Sequence, residues 1–200
     1  MIASGAAVSQ QELQSAMRAK PDAALGEQLF LACAACHGSD GGGSHDGSVP
    51  TIAGQHYAVI VKQLVDFRLG KRWDIRMERY SSDHVLKGAK DIAAVASFIS
   101  LLPQQRNPYS GELHDLDSKN QLYAQSCAVC HGAVAEGSSK QRIPRLAGQN
   151  DQYLVRQMHY ALEGRRPNLT QEHLALLARF EFADLEVVAR TLSRLPPGLP

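Results

Sequence analysis

All four cysteines of this 200-residue chain fall in two copies of one pattern, Cys33-Ala34-Ala35-Cys36-His37 and Cys127-Ala128-Val129-Cys130-His131. A bare C-x-x-C serves half a zinc site or a thiol–disulfide pair. The histidine that follows at once in both copies narrows the chemistry. In C-x-x-C-H the two thiols form thioethers with the vinyl groups of a haem, and the next residue supplies an axial imidazole. A four-cysteine zinc or disulfide framework leaves both histidines unexplained. The expected cofactors are two covalently bound haem c groups, attached through Cys33 and Cys36 and through Cys127 and Cys130, with His37 and His131 as iron ligands.

The two motifs belong to an internal repeat. The offset of 94 that separates the cysteines also pairs Pro50 with Pro144 and Ala53-Gly54-Gln55 with Ala147-Gly148-Gln149. It pairs Gln63 with Gln157, Gly70 with Gly164 and Arg72 with Arg166. Each copy closes on Leu-Pro, Leu102-Pro103 and Leu195-Pro196, where the offset is 93. The first copy therefore carries one extra residue between Arg72 and its last helix. The expected organisation is an N-terminal extension at 1–22, a first haem domain at 23–103, a Pro-, Gly- and polar-rich linker at 104–117 and a second haem domain at 118–200.

Periodicity predicts an all-α fold. A helix leads into each cysteine pair, over about Ala23–Ala32 and Ser118–Ser126, and a Gly/Ser-rich loop follows. Second helices are expected over His56–Leu69 and Asp151–Glu163. Val59, Ile60, Gln63, Leu64 and Phe67 make one amphipathic stripe, and Gly70 and Gly164 stand where C-terminal glycine caps belong. Last helices are expected over Asp91–Leu101 and Asp184–Leu195, each stopped by proline. No pair of segments alternates as strands do. Each half is small for a core of its own, so the macrocycle supplies missing apolar volume, and each half is expected to be largely unfolded without it.

Charge excludes other classes. A formal net charge of +1 offers no cationic surface for nucleic acid, and no apolar run is long enough for a transmembrane segment. Met1–Ala3 shows neither the charged nor the apolar region of a signal peptide. Thioether attachment belongs outside the cytoplasm, so the expectation is an exported protein whose leader has been removed or replaced.

The tandem C-x-x-C-H copies, each followed by P-x-[IL]-A-G-Q and ended by a helix plus Leu-Pro, resemble the cytochrome c4 family from about Leu25 to Pro196. These are periplasmic dihaem class I cytochromes c. The resemblance implies two class I cytochrome c folds packed face to face, with haem edges close together and electron transfer as the task. It implies that Pro50 and Pro144 pack beside the proximal imidazoles and orient them through nearby carbonyls. It also implies a distal methionine between the second and last helices of each copy.

In the first copy Met77 lies at the family's distance from Gly70, with His84 as the rival ligand. The second copy has no methionine after Met158, which aligns with Leu64 and reads as core. His173 stands in the family's methionine slot, 23 residues before Pro196 and seven before Phe180. Imidazole is a good haem-iron ligand, so the expected sets are His37/Met77 for haem 1 and His131/His173 for haem 2. If His173 does not bind, haem 2 is an open site. Lys71, Arg72, Arg76, Arg165 and Arg166 follow the glycine caps and suit haem propionates, a docking partner or a solvated turn. His45, His56, His114 and His159 read as surface or cap residues.

Three functions fit these residues. The leading one is a carrier with no catalytic residues, taking electrons from a periplasmic dehydrogenase or membrane complex and passing them to an oxidase or another cytochrome. The second is a dedicated subunit of one enzyme, such as a sulfur-compound dehydrogenase. The third is a haem enzyme, such as a peroxidase or a thiosulfate-oxidising cytochrome, which needs an open iron position. A cysteine-ligated catalytic iron is excluded because every cysteine is used as a thioether. The intact holoprotein should exceed the polypeptide mass by two haems, and its pyridine haemochrome should report two per chain; one per chain would break the duplication argument.

Overall fold

A computed structural model of the chain describes residues 5–104 and 120–196. The expected linker, apart from Gln104, lies outside the described residues, as do His114 and the first two residues of the helix expected from Ser118. The described residues form helices α1 (Gly5–Arg18), α2 (Ala23–His37), α3 (Tyr57–Arg68), α4 (Ile75–Ser81), α5 (Ala89–Leu101), α6 (Asn120–Ser126), α7 (Ala128–His131), α8 (Asp151–Leu162), α9 (Gln171–Leu177) and α10 (Phe182–Arg194). Among them the only extended pairing is an isolated bridge between Ser138 and Ile143. None of these helices is long and apolar enough to cross a membrane.

Local chemistry explains the boundaries. Asp22 starts α2 by accepting from the Leu25 N–H at 3.0 Å. The helix passes the expected end at Ala32 and runs through the cysteine pair to His37, because the segment is alanine-rich. In the second half Ser126 and Val129 replace good helix formers, and the same stretch breaks at Cys127 into α6 and α7. Both glycine caps form as expected. Gly70 has φ 64° and Gly164 φ 73°. Lys71 N–H reaches Asp66 O at 2.8 Å and Arg165 N–H reaches Tyr160 O at 2.7 Å, the six-to-one bond of a Schellman motif. Between the second and last helices, where the sequence pattern predicts no helix, the short helices α4 and α9 form.

The first half packs around the crossing of α2 and α5. A Cβ on Gly26 would sit 2.3 Å from Ala94 O, so only glycine lets the two backbones touch. Phe30 and Phe98 meet there with ring centroids 5.1 Å apart, and Val61, Val65, Ile92 and Val95 fill the core. The N-terminal extension joins this core: Ala16 of α1 is fully buried, and Tyr57 Oη donates to Ala16 O at 3.1 Å. The second half has two smaller apolar clusters, one around Tyr123, Leu154 and Val188 and one around Ala161, Leu177 and Leu185. Met158 touches both, as its reading as a core residue anticipates.

Arg68 ties the first half together. Its guanidinium pairs with Glu12 of α1 and donates to Ser81 O and Leu86 O, both at 2.6 Å, at the end of α4 and in the turn after it. Hydrogen bonds from a charged donor are worth more than neutral ones. Arg68→Ala should therefore cost the first half about 2 kcal/mol, read as a lower denaturation midpoint by the fluorescence of Trp73, the chain's single tryptophan.

Candidate functional site

Each C-x-x-C-H motif ends with its histidine turned onto a proline carbonyl. His37 Nδ1 lies 3.0 Å from Pro50 O, and His131 Nδ1 lies 3.1 Å from Pro144 O. A carbonyl oxygen only accepts, so Nδ1 carries the proton and Nε2 keeps its lone pair for a metal. Burial pushes both imidazoles below their ordinary pKa, against the opposing pull of those carbonyls, which favours the neutral, ligating form. The prolines thus orient the rings through their own carbonyls.

Glycine makes this geometry possible. Gly43 N–H and Gly137 N–H reach back to His37 O and His131 O, each at 2.8 Å. Gly43 has φ 77° and Gly137 φ 70°. A Cβ at either would lie within 2.6 Å of Val49 O or Ile143 O. A larger residue would therefore push the proline carbonyl away from the imidazole.

The expected distal residues occupy matching places. Met77 is the third residue of α4 and His173 the third of α9. Asp74 caps α4 and accepts from Met77 N–H, and Thr170 caps α9 and accepts from His173 N–H, both at 3.3 Å. The caps stand 96 residues apart rather than 94, so the repeat register alone does not align Met77 with His173. Met77 lines a cavity of about 260 Å³ together with Cys33, Cys36, His37 and Pro50. His84 is exposed and does not line this cavity.

In the second half the rings of His131 and His173 lie with centroids 6.1 Å apart and planes tilted by 51°. With a metal–nitrogen bond of about 2.0 Å and ~1.1 Å from nitrogen to ring centre, two imidazoles on opposite sides of one ion stand roughly 6.2 Å apart. The pair is therefore spaced for one metal ion between them.

The arginines after the glycine caps separate into two groups. Arg76 and Arg165 are exposed and lie beside Asp74 and Glu163. Arg72 and Arg166 are enclosed between the halves. Arg72 donates to Gln63 Oε1 and Gln157 Oε1, each at 2.7 Å, and to the Tyr153 hydroxyl. Burial, and behind it the Arg72 charge, disfavours the Arg166 cation. A guanidinium nevertheless keeps its proton, and the nearby Tyr153 and Asp66 oxygens pull the other way. Arg166 Nε and Arg145 Nε are buried with no partner, and both residues line the cavity. A haem, which brings two propionate carboxylates, fits these donors. A four-cysteine zinc centre does not fit: among the described residues no three His, Cys, Asp or Glu side chains are grouped to hold a metal ion.

Other histidines fill structural roles. His56 stands at the N-cap of α3, as its reading as a cap residue anticipates, and its Nε2 also lies 2.7 Å from Glu136 O in the other half. His159 packs edge-on to Phe182 with ring centroids 4.6 Å apart. The repeated A-G-Q carries no local sign of a role. In the fold Gln55 and Gln149 each cross to the other half's proximal loop, at Arg145 and Thr51.

The profile of the cytochrome c family matches residues 23–103 and 120–179. The chain is 30% identical over 150 residues to cytochrome c4 of Pseudomonas aeruginosa, covering 74% of each protein. It is 29% identical over 168 residues to the thiosulfate dehydrogenase electron acceptor of Stutzerimonas stutzeri, covering 80% of this chain and 76% of that one. The crystal structure of reduced recombinant cytochrome c4 from Pseudomonas stutzeri superposes with a TM-score of 0.76 at 22% identity, over 88% of this chain and 100% of that one, which is a likeness of fold. With one C-x-x-C-H motif in each matched half, the chain belongs to the cytochrome c4 family and is a dihaem c-type cytochrome that carries electrons.

Proposed function

We propose that His37 and Met77 are the axial ligands of haem 1 and His131 and His173 those of haem 2, so that the two haems are unlike. The observation that carries this reading is the 6.1 Å separation of the His131 and His173 rings. Met77 is supported by its place on the haem 1 cavity and by its helix position, the same as that of His173. The haem irons supply one reversible electron each when bound. The protein holds the proximal imidazoles in one tautomer, presents a soft thioether in one half and a second imidazole in the other, and buries Arg72 and Arg166 where propionate charge is needed.

Thioether sulfur favours the reduced state and imidazole does not. The C-terminal site then has the lower potential, and electrons enter there and rest at the N-terminal site. Within the ~0.8 V that axial ligands span, a gap of roughly 0.1–0.2 V is expected. We place the protein in the periplasm, where thioether attachment occurs, carrying electrons from a dehydrogenase to an oxidase or another cytochrome. The Stutzerimonas stutzeri relative is named for accepting electrons from a thiosulfate dehydrogenase, which favours a sulfur-compound dehydrogenase as the donor and supports the dedicated-acceptor form of this role.

Redox titration of wild type should resolve two waves, with the far-red methionine-to-iron band lost over the higher one. Met77→Ala should abolish that band and lower the higher wave. His173→Met should raise the lower wave and add far-red intensity. His173→Ala should open that iron to CO and cyanide, which wild type should not bind at neutral pH. An unchanged spectrum in His173→Ala overturns the His/His assignment and returns the open-site enzyme reading. For the donor, thiosulfate with a thiosulfate dehydrogenase should reduce both haems at the enzyme's turnover rate; no reduction, with ascorbate reducing haem 1 normally, removes that donor class and leaves the general carrier.

A further inference from the structure

Each half's proximal loop is held by a glutamine of the other half, through the same peptide unit that orients the proximal histidine. In the first half the unit is Pro50–Thr51. Its carbonyl accepts from His37 Nδ1 at 3.0 Å, and its N–H donates to Gln149 Oε1 at 3.1 Å. Gln149 Nε2 then donates to Thr51 O at 2.8 Å, so one side-chain amide brackets residue 51. The second half mirrors this at Pro144–Arg145. The carbonyl accepts from His131 Nδ1 at 3.1 Å and the N–H donates to Gln55 Oε1 at 2.9 Å, while Gln55 Nε2 donates to Arg145 O at 3.0 Å.

Both glutamines are held in place. Gln55 Oε1 also accepts from His56 N–H at 3.0 Å, and Gln149 Oε1 from Asn150 N–H at 2.9 Å. These backbone donors fix which end of each amide is oxygen. Gln149 is buried, where a hydrogen bond is electrostatically stronger than in water.

Hydrogen bonds in series polarise one another. A bond accepted from the peptide N–H moves electron density toward that peptide's carbonyl oxygen and makes it a better acceptor for the imidazole Nδ1–H. A better acceptor there gives the imidazole more anionic character and raises its basicity as a ligand, which favours the oxidised iron. The glutamine reaches this peptide from across the interface, so its effect falls on the haem of the opposite half.

We infer that Gln149 is a positioning residue for haem 1 and Gln55 for haem 2, each lowering the potential of the haem in the other half through the proximal peptide. Docking of the halves thereby sets the potentials, and separating them raises both. The inference rests on the proximal ligands, His37 and His131, and is independent of the distal assignment to Met77 and His173.

The test uses the dihaem protein and paramagnetic proton NMR during redox titration. Haem methyls are assigned to a half by their proximity to the Cys33 or Cys127 β-protons, which needs no assumption about distal ligands. Hyperfine-shifted ring protons of His37 and His131 in wild type check the proximal reading separately; their absence would sink that reading before any glutamine is changed. Gln149→Met should raise the midpoint of haem 1 and move the His37 Nδ1–H resonance toward that of a weaker hydrogen bond, with haem 2 unmoved. Gln55→Met should do the same to haem 2 and His131, with haem 1 unmoved. A shift in the variant's own half, an equal shift in both haems, or no shift overturns the inference. Should the methionine variants fail to fold, Gln149→Glu and Gln55→Glu keep an oxygen acceptor for the peptide N–H and lose the donor. Their added charge lowers both haems, and the inference requires the larger drop in the opposite half; equal drops overturn it.

Discussion

A bond from an imidazole to a backbone carbonyl sets the tautomer of the histidine in each C-x-x-C-H motif. With Pro50 O and Pro144 O as acceptors, His37 and His131 keep the proton on Nδ1 and turn Nε2 toward the site. The surrounding structure serves that bond. Gly43 and Gly137 bring the loop back under the histidine carbonyl, where any side chain would strike the proline segment. Gln149 and Gln55 hold the far end of the same peptide. The tautomer, the loop and the docking of the halves are therefore parts of one constraint.

The halves share this proximal architecture and the helix order around it, and differ in how their apolar cores are built. The first adds α1, which buries Ala16 and is pinned through Arg68, so it has one continuous apolar core. The second divides its apolar residues between two clusters joined at Met158. The asymmetry runs through the distal helices as well, where one cap places a thioether and the other an imidazole.

Between the halves the structure encloses positive charge. Arg72 and Arg166 share the interface with Gln63, Gln157 and Tyr153, and Arg166 Nε and Arg145 Nε have no protein partner. Buried cations are tolerated where a counter-charge completes them. Propionate carboxylates of a bound haem would supply that counter-charge, with Arg145 and Arg166 as the residues to hold them.

Much of this was legible in the chain. C-x-x-C-H names covalent chemistry at fixed spacing, the 94-residue repeat declares duplication, and the glycine caps with their apolar stripes locate the long helices to within a few residues. Such signals are local, because a helix turn or a thioether pair is closed by neighbours in sequence. α4 and α9 were missed because seven residues hold too few periods to show a face, although Asp74 and Thr170 stood three residues before Met77 and His173 as possible caps. The A-G-Q glutamines were visible as a repeat and silent as to purpose, since each finds its peptide 90 to 98 residues away. Arg72 and Arg166 looked like any basic turn, and α1 like any polar extension. The sequence determined which atoms bind haem covalently and how many times. Only the docking of helices and halves decided which arginines lose water, which glutamine touches which proximal loop, and that His173 comes near His131, because those contacts depend on relative placement that no local period encodes.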